Sequence, residues 1–327
     1  MKFNVTGAFG ATVLALVGSA ALADYPERQI DMIIPYGPGG ATDISARAIA
    51  EPLSTAVGRP LIMTNRAGAG GAIGSVAVQN AAPDGYKMLF ARVGSHTVSP
   101  AMKETLPYGL EDFRFVGVYE INPVACAVAA NSDIQSMDDL VAKIEAEPGS
   151  VRFSSSGVGT LLHIAGAMVL SEFGVENPLE DAVHIPLGGG GEAATAVLNG
   201  TATFVCTNTS ALANFVANGQ LRPLMVTTAE PVEGFDAPTS ADLGKPALEQ
   251  LVGWTGIAGP ADLPDDIADA WAGWLGEAVQ NDKFRDQMET MGSVIRLMPP
   301  EESQEFINNQ YEVFRNLVEE LDMRVEG

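Results

Sequence analysis

Ile30-Asp31-Met32-Ile33-Ile34 runs straight into Pro35-Tyr36-Gly37-Pro38-Gly39-Gly40-Ala41-Thr42-Asp43, and the reading of this stretch decides the fold. The first five residues make a strand-length apolar run, and the next nine make a glycine-rich turn into a helix. Adjacent glycines let the backbone approach a ligand closely, because no Cβ stands in the way. The helix leaves its first amide N–H groups without intrahelical partners, pointing at whatever lies in front of them; a carboxylate suits that position. The same arrangement recurs at Phe153-Ser154-Ser155-Ser156-Gly157-Val158-Gly159-Thr160, ahead of a helical run over 161–173. Two anion-ready helix ends in distant parts of the chain point to a ligand held between two lobes.

Outward from these junctions the chain alternates strand and helix. The pattern predicts a helix over 42–51 ended near Pro52, a strand over 61–65, a small-residue helix from Ala72 to about Ala82 and a strand over 86–92. Strands are expected at 116–119, 124–130, 151–154, 182–185, 203–206 and 224–227, with helices over 160–173, up to Asn199 and over 210–217. Ser136-Met137-Asp138-Asp139 reads as a helix cap. Beyond a strand at 252–258, Pro264 opens a helix to Val279. A long helix over 301–321 carries Phe306, Gln310, Val313, Leu317 and Leu321 at helical spacing, which predicts a core-facing stripe. This rhythm is that of an α/β fold with mainly parallel sheets flanked by helices.

The N-terminus has the form of an export signal. Lys2 precedes an apolar and small-residue run over 9–22, and Ala21-Leu22-Ala23 matches a cleavage site before Asp24. The run is too short for a confident membrane span, so residues 1–23 are expected to be removed and the remainder exported to the periplasm without membrane insertion. That remainder is ample for two lobes of ordinary domain size. Forty-one acidic against 18 basic residues give a formal net charge of −23. Such a balance argues against nucleic acid or an anionic membrane surface as partner. A small anion is still compatible, since the general field decays over ~8 Å at physiological salt. Cys126 and Cys206 sit in apolar strand-like runs, where free buried thiols are ordinary, although an oxidising compartment permits a pair.

Enzymatic motifs are sparse. There is no Gly-x-Ser-x-Gly elbow; Gly244-Lys245 is followed by Pro246, so no phosphate loop forms; and 68–73 fails the dinucleotide fingerprint at its third glycine. Three scattered histidines show no zinc spacing. No catalytic residue, metal or cofactor is therefore expected, and the remaining catalytic alternative is a hydrolytic pairing of Ser155 with His163. His184 reads as a structural histidine.

Several segments in order resemble one family. Tyr25-Pro26-Glu27-Arg28, the 35–43 loop, Asn65-Arg66-Ala67-Gly68-Ala69-Gly70-Gly71, Ala82-Pro83-Asp84-Gly85-Tyr86, Asp112-Phe113-Arg114-Phe115-Val116, the 155–160 loop with His163, and Trp254-Thr255-Gly256-Ile257-Ala258-Gly259-Pro260 are similar to segments of the substrate-binding proteins of tripartite tricarboxylate transporters, the Bug receptors. The resemblance implies a two-lobed type II periplasmic-binding-protein-like fold with the ligand cleft between the lobes. Crossing strands are expected near 122–125 and 226–229, making one lobe of 24–123 plus 229–327 and another of 124–228. It further implies a monomeric receptor that passes a small organic acid (a di-, tri- or aromatic carboxylate) to membrane permease subunits; a receptor that signals to a membrane sensor is the alternative. Two departures stand near the expected cleft. Leu187-Gly188-Gly189 follows Pro186 where the family often has Tyr-Lys-Gly, and Thr207 stands where an Asp is frequent.

The expected ligand contacts are Tyr36, Gly37, Pro38, Gly39, Gly40 and Ala41 on the first loop, and Ser155, Gly157, Val158 and Thr160 on the second. Ser95 and Thr97 follow a strand end, where open α/β sheets place ligands; Gly189 and Asn208 close the far side. Asp43, Arg66, Arg92, His96, His163 and Thr207 either touch ligand or support residues that do. The two arginines offer bidentate forks, or else hold surface acids.

Overall fold

Alternating apolar runs and glycine turns build two sheets that share one strand. The structure is a computed structural model that describes residues 25–38 and 41–325; the export segment expected at 1–23, and Gly39 and Gly40, lie outside the described residues. In chain order the elements are β1 (Ile30–Ile34), α1 (Ala41–Val57), β2 (Leu61–Asn65), α2 (Ala72–Gln79), β3 (Lys87–Arg92), a π-helical turn (Gly94–Val98), α3 (Ser99–Met102) and β4 (Phe113–Ala129). The middle of the chain forms α4 (Met137–Ala146), β5 (Val151–Ser155), α5 (Leu161–Glu172), α6 (Pro178–Asp181), β6 (Ala182–Pro186), α7 (Gly190–Leu198), β7 (Phe204–Asn208), α8 (Thr209–Ala217) and β8 (Leu221–Val226). The last part supplies β9 (Val252–Pro260), α9 (Asp265–Ala278), α10 (Asp282–Thr290), β10 (Val294–Met298) and α11 (Pro300–Glu320).

The strand order is β2-β1-β3-β9-β4-β7-β5-β6, with β8 and β10 also paired to β4. β1 lies parallel to β2 and β3, and β5 lies parallel to β6 and β7. Every pairing of β4 and β9 is antiparallel, so both sheets are mixed around a parallel half. β4 is 17 residues long and belongs to both sheets. Up to Pro123 it pairs with β9; from Val124 onward it pairs with β7. Sequence reading expects two strands here, over 116–119 and 124–130. The strand is continuous because the missing proline N–H falls where one neighbour ends and the next begins. The return passage runs from β8 to β9. On the way Val226 bridges Thr239, Phe235 is buried, and Lys245 Nζ donates to Glu172 O at 2.5 Å.

Packing explains the other departures. α1 continues through Pro52 to Val57 because Leu53 and Val57, on the face of Ala46 and Ile49, bury completely or nearly so beneath α9 and α10. Burial there outweighs the lost helix hydrogen bond. β10 and α10 escape sequence reading: β10 is largely exposed, and α10 buries only Phe284 and Met288, one turn apart in a polar run. On α11 the buried line is Ser303, Ile307, Gln310, Phe314, Leu317 and Val318, with Phe306 and Val313 at its margin. Ser136 caps α4 as its spacing predicts, accepting from Asp139 N at 3.1 Å while the Asp139 carboxylate accepts from Ser136 N. Cys126 and Cys206, paired in register on β4 and β7, form a disulfide rather than two free thiols.

Candidate functional site

The first junction is braced from behind. Asp43, in the first turn of α1, is buried; Arg47 Nε donates to both of its carboxylate oxygens at 2.9 Å, and Asn65 Nδ2 donates to Oδ1 at 2.9 Å. Asn65 also donates to Tyr36 O at 3.0 Å, so the end of β2 holds the 35–38 turn against α1. Tyr36 is half-buried, with Gly37 partly exposed and Pro38 exposed. Its ring needs glycine on two sides: a Cβ on Gly94 would stand 2.8 Å from the hydroxyl, and one on Gly71 3.2 Å away. Burial pushes the Tyr36 phenol up, with Ser95 and Arg92 partly opposing it.

Beyond β3 the three polar residues of the π-helical turn, Ser95, His96 and Thr97, are fully buried. Thr97 Oγ1 bonds to Val93 O and Gln310 Oε1, both at 2.9 Å, and Ser95 Oγ bonds to Arg92 O at 3.2 Å and His96 Nδ1 at 2.9 Å. His96 lies edge-on to Phe113 and Phe115 and tilted against Tyr108; desolvation drives its pKa to about 3, so it is neutral at pH 7. These side chains hold the framework of the turn. Arg92, half-buried at the end of β3, donates from Nη1 to Thr255 Oγ1 at 3.1 Å. Arg66 is exposed.

The second junction is tied together by its own polar groups. Thr160 caps α5 and donates to Gly157 O at 2.8 Å, while Ser155 Oγ accepts from Gly157 N at 3.1 Å. Gly157 and Gly159 have φ of 120° and 73°, which only glycine adopts without strain. His163 Nδ1 accepts from Gly159 N at 3.3 Å, and its ring stacks on His184 with centroids 4.1 Å apart. His184 Nε2 lies 2.6 Å from Ser155 Oγ. Ser155 therefore pairs with His184 rather than His163, and it is fully buried, away from any solvent-borne acyl group. Burial lowers the pKa of each imidazole to about 4. Val158 stands 58% exposed at the tip of the loop. The loop comes against the first sheet's layer, since a Cβ on Gly159 would lie 3.7 Å from both Met102 and Val325.

At the end of β7, Thr207 is buried with its hydroxyl unpartnered, facing Gly190, where a Cβ would stand 2.6 Å from Oγ1. Gly189 caps α7 in extended backbone. Asn208 does not cap α8 with its side chain; its Nδ2 donates to Asn122 O at 3.1 Å, linking β7 to the crossing point of β4. Sequence reasoning missed Glu120, which is buried beside that point. Its carboxylate accepts from Ser45 Oγ, Asn122 Nδ2 and, at 3.0 Å, Ser293 Oγ; Ser45 also bonds Tyr119 Oη at 2.8 Å. A lone acid within the apolar run 115–129 was the available signal.

Elsewhere, a groove of about 540 Å³ between α1 and α9–α10 is crossed by the Lys283–Glu51 ion pair at 3.4 Å and meets neither glycine loop. Among the described residues no helix is long and apolar enough to cross a membrane, and no cluster of three or more His, Cys, Asp or Glu is placed to hold a metal.

A family model described as the tripartite tricarboxylate transporter family receptor matches residues 45–323. The BugT protein of Bordetella pertussis (strain Tohama I) is 29% identical over 326 residues, covering 98% of each chain. A TctC solute-binding protein from Polaromonas, solved without ligand, superposes with a TM-score of 0.80 at 26% identity, over 91% of this chain and all of that one. A Rhodopseudomonas palustris protein solved with adipate has a TM-score of 0.74 at 23% identity, over 91% of this chain and 99% of its own. With its two mixed sheets joined through β4, the chain has the α/β fold of periplasmic solute-binding proteins, and it belongs to the tripartite tricarboxylate transporter receptor family.

Proposed function

We propose that the protein is exported after cleavage near Ala23, binds a small organic carboxylate reversibly between two lobes, and delivers it as a monomer to the permease subunits of a tripartite transporter. The carrying observation is the pair of strand–glycine-loop–helix junctions, β1 to α1 and β5 to α5, the second of which reaches across to α3 of the first lobe. Each helix start presents unsatisfied N–H groups and is worth ~0.3–1 kcal/mol toward an anion when exposed, and up to ~2 when partly buried. One carboxylate would rest on the first turn of α1, at Ala41 and Thr42. The other acceptor would rest on Gly157, Val158 and Thr160, with Tyr36 and Asn208 bounding the cleft. The dicarboxylate in the structural relative from R. palustris supports the ligand class.

A thermal-shift screen with adipate, malate, citrate and benzoate tests the reading. An acid at 100 times its dissociation constant adds ~2.7 kcal/mol of stability, which is readily seen as a raised melting temperature. If none of the four raises it, or if one is chemically turned over, the proposal fails.

A further inference from the structure

We propose that Arg92 is the side chain that fixes the ligand's carboxylate in the first lobe, through a planar two-point contact from its guanidinium. This inference rests on the carboxylate-receptor reading.

In a chain with 41 acids and 18 bases, other arginines have evident occupations. Arg47 is paired with Asp43, Arg114 with Asp265, and Arg222 donates to the carbonyls of Ala130, Ser132 and Ile134. Arg92 is different. It is half-buried, it makes none of the ion pairs among the described residues, and its side chain donates to a single neutral group, Thr255 Oγ1. A guanidinium carries five N–H donors, and a cation drawn out of water without a counter-charge is costly. The local arrangement is that of a site completed by an anion.

Its position fits the same conclusion. Arg92 ends β3, and the register places it in a row with Thr255 on β9 and Glu120 on β4. Its positive charge is within electrostatic reach of the phenols of both Tyr36 and Tyr119, one on the first glycine loop and the other on the crossing strand. Glu120 stands on the far side of Thr255 and is already held by Ser45, Asn122 and Ser293. No ion pair joins it to Arg92.

The test is calorimetric titration of the exported protein with adipate, malate and citrate, comparing wild type with Arg92→Gln, Arg92→Lys and Arg59→Gln. Arg59 is an exposed cation between α1 and β2 and controls for the loss of one charge. Truncating one member of a buried hydrogen-bonded charge pair costs at least about thirtyfold in affinity. The expected result is that loss in Arg92→Gln, a partial loss in Arg92→Lys, which keeps the charge without the fork, and wild-type affinity in Arg59→Gln. If Arg92→Gln melts below the assay temperature, Arg92→Lys decides: affinity equal to wild type overturns the two-point contact. Wild-type binding retained in a folded Arg92→Gln, or an equal loss in Arg92→Gln and Arg59→Gln, overturns the inference while leaving the receptor reading intact. Failure of the wild type to bind any of the three acids removes both.

Discussion

His163 and His184 lie ring on ring beneath the α5 loop, and both carry depressed pKa values of about 4. Burial is the main cause, and for His184 the neighbouring imidazole adds to it. His96, in its aromatic box, is driven lower still, to about 3. In the unfolded chain all three titrate near the ordinary ~6.5. Below that value the unfolded state binds more protons than the native one, so stability is full above pH 6.5 and is lost as pH falls toward the folded-state values. The melting temperature should therefore decline between pH 6.5 and 5, above the range where carboxylates titrate. His184→Gln keeps a hydrogen bond to Ser155 and removes one titrating group, and should reduce that slope. Differential scanning calorimetry reads the effect; a flat profile in wild type, or the same slope in the variant, is the contrary outcome. Protonating His163 also removes the acceptor for Gly159 N, so acid should loosen the loop before it unfolds the lobe.

At the scale of elements, the middle of α11 is tied to the sheet of β3 and β9 through one amide. Gln310 Oε1 accepts from Thr97 Oγ1 at 2.9 Å and Trp254 Nε1 at 2.8 Å, while Nε2 donates to Gln250 O at 2.7 Å and Val252 O at 3.0 Å. Gln310→Leu fills the space but strands the Trp254 Nε1–H and two carbonyls in the core, while Thr97 keeps its bond to Val93 O. Each stranded group costs ~1–3 kcal/mol before relaxation, so a loss of about 3 kcal/mol is expected in urea unfolding with the slope unchanged. A loss under about 0.5 kcal/mol would mean that the helix is held by Ile307, Phe314 and Val318 alone. The same contact shows why the strand–turn–helix rhythm, the α4 cap and both glycine junctions were legible while the polar framework was not. Those features are local: a period, a spacing, a glycine with positive φ. Thr97, by contrast, reads as a cleft residue from its place after β3, and only a partner 213 positions away makes it part of the core. The gap read between 119 and 124 has the same origin, because the single strand there depends on β9 ending and β7 beginning beside Pro123. Pro52 is overridden by the burial of Leu53 and Val57.

At the scale of the whole molecule, the proposed carboxylate ligand has to approach an acidic surface. The two sheets are joined through β4 and linked beside its crossing point by Asn208 to Asn122 O and by Thr209 Oγ1 to Gly292 O at 3.1 Å. In the proposed site the groups that favour an anion are the starts of α1 and α5 and the half-buried Arg92, while the formal charge of the chain is −23. At ~0.01 M salt the screening length is ~30 Å, so an approaching dicarboxylate meets the repulsive field of the entire surface. At ~0.15 M it falls to ~8 Å, which hides the distant acids and leaves the short-range donors intact. The association rate for adipate should therefore rise with salt over this range. The dissociation rate, governed by contacts inside the cleft, should change little, and affinity should improve. Adipamide, which carries no charge, provides the control and should show no such rise. Stopped-flow tryptophan fluorescence measures both rates through Trp254, Trp271 and Trp274. An association rate that falls with salt would mean that the positive potential of Arg92 and the helix ends extends past the mouth of the cleft and steers the ligand in, against the charge of the rest of the protein.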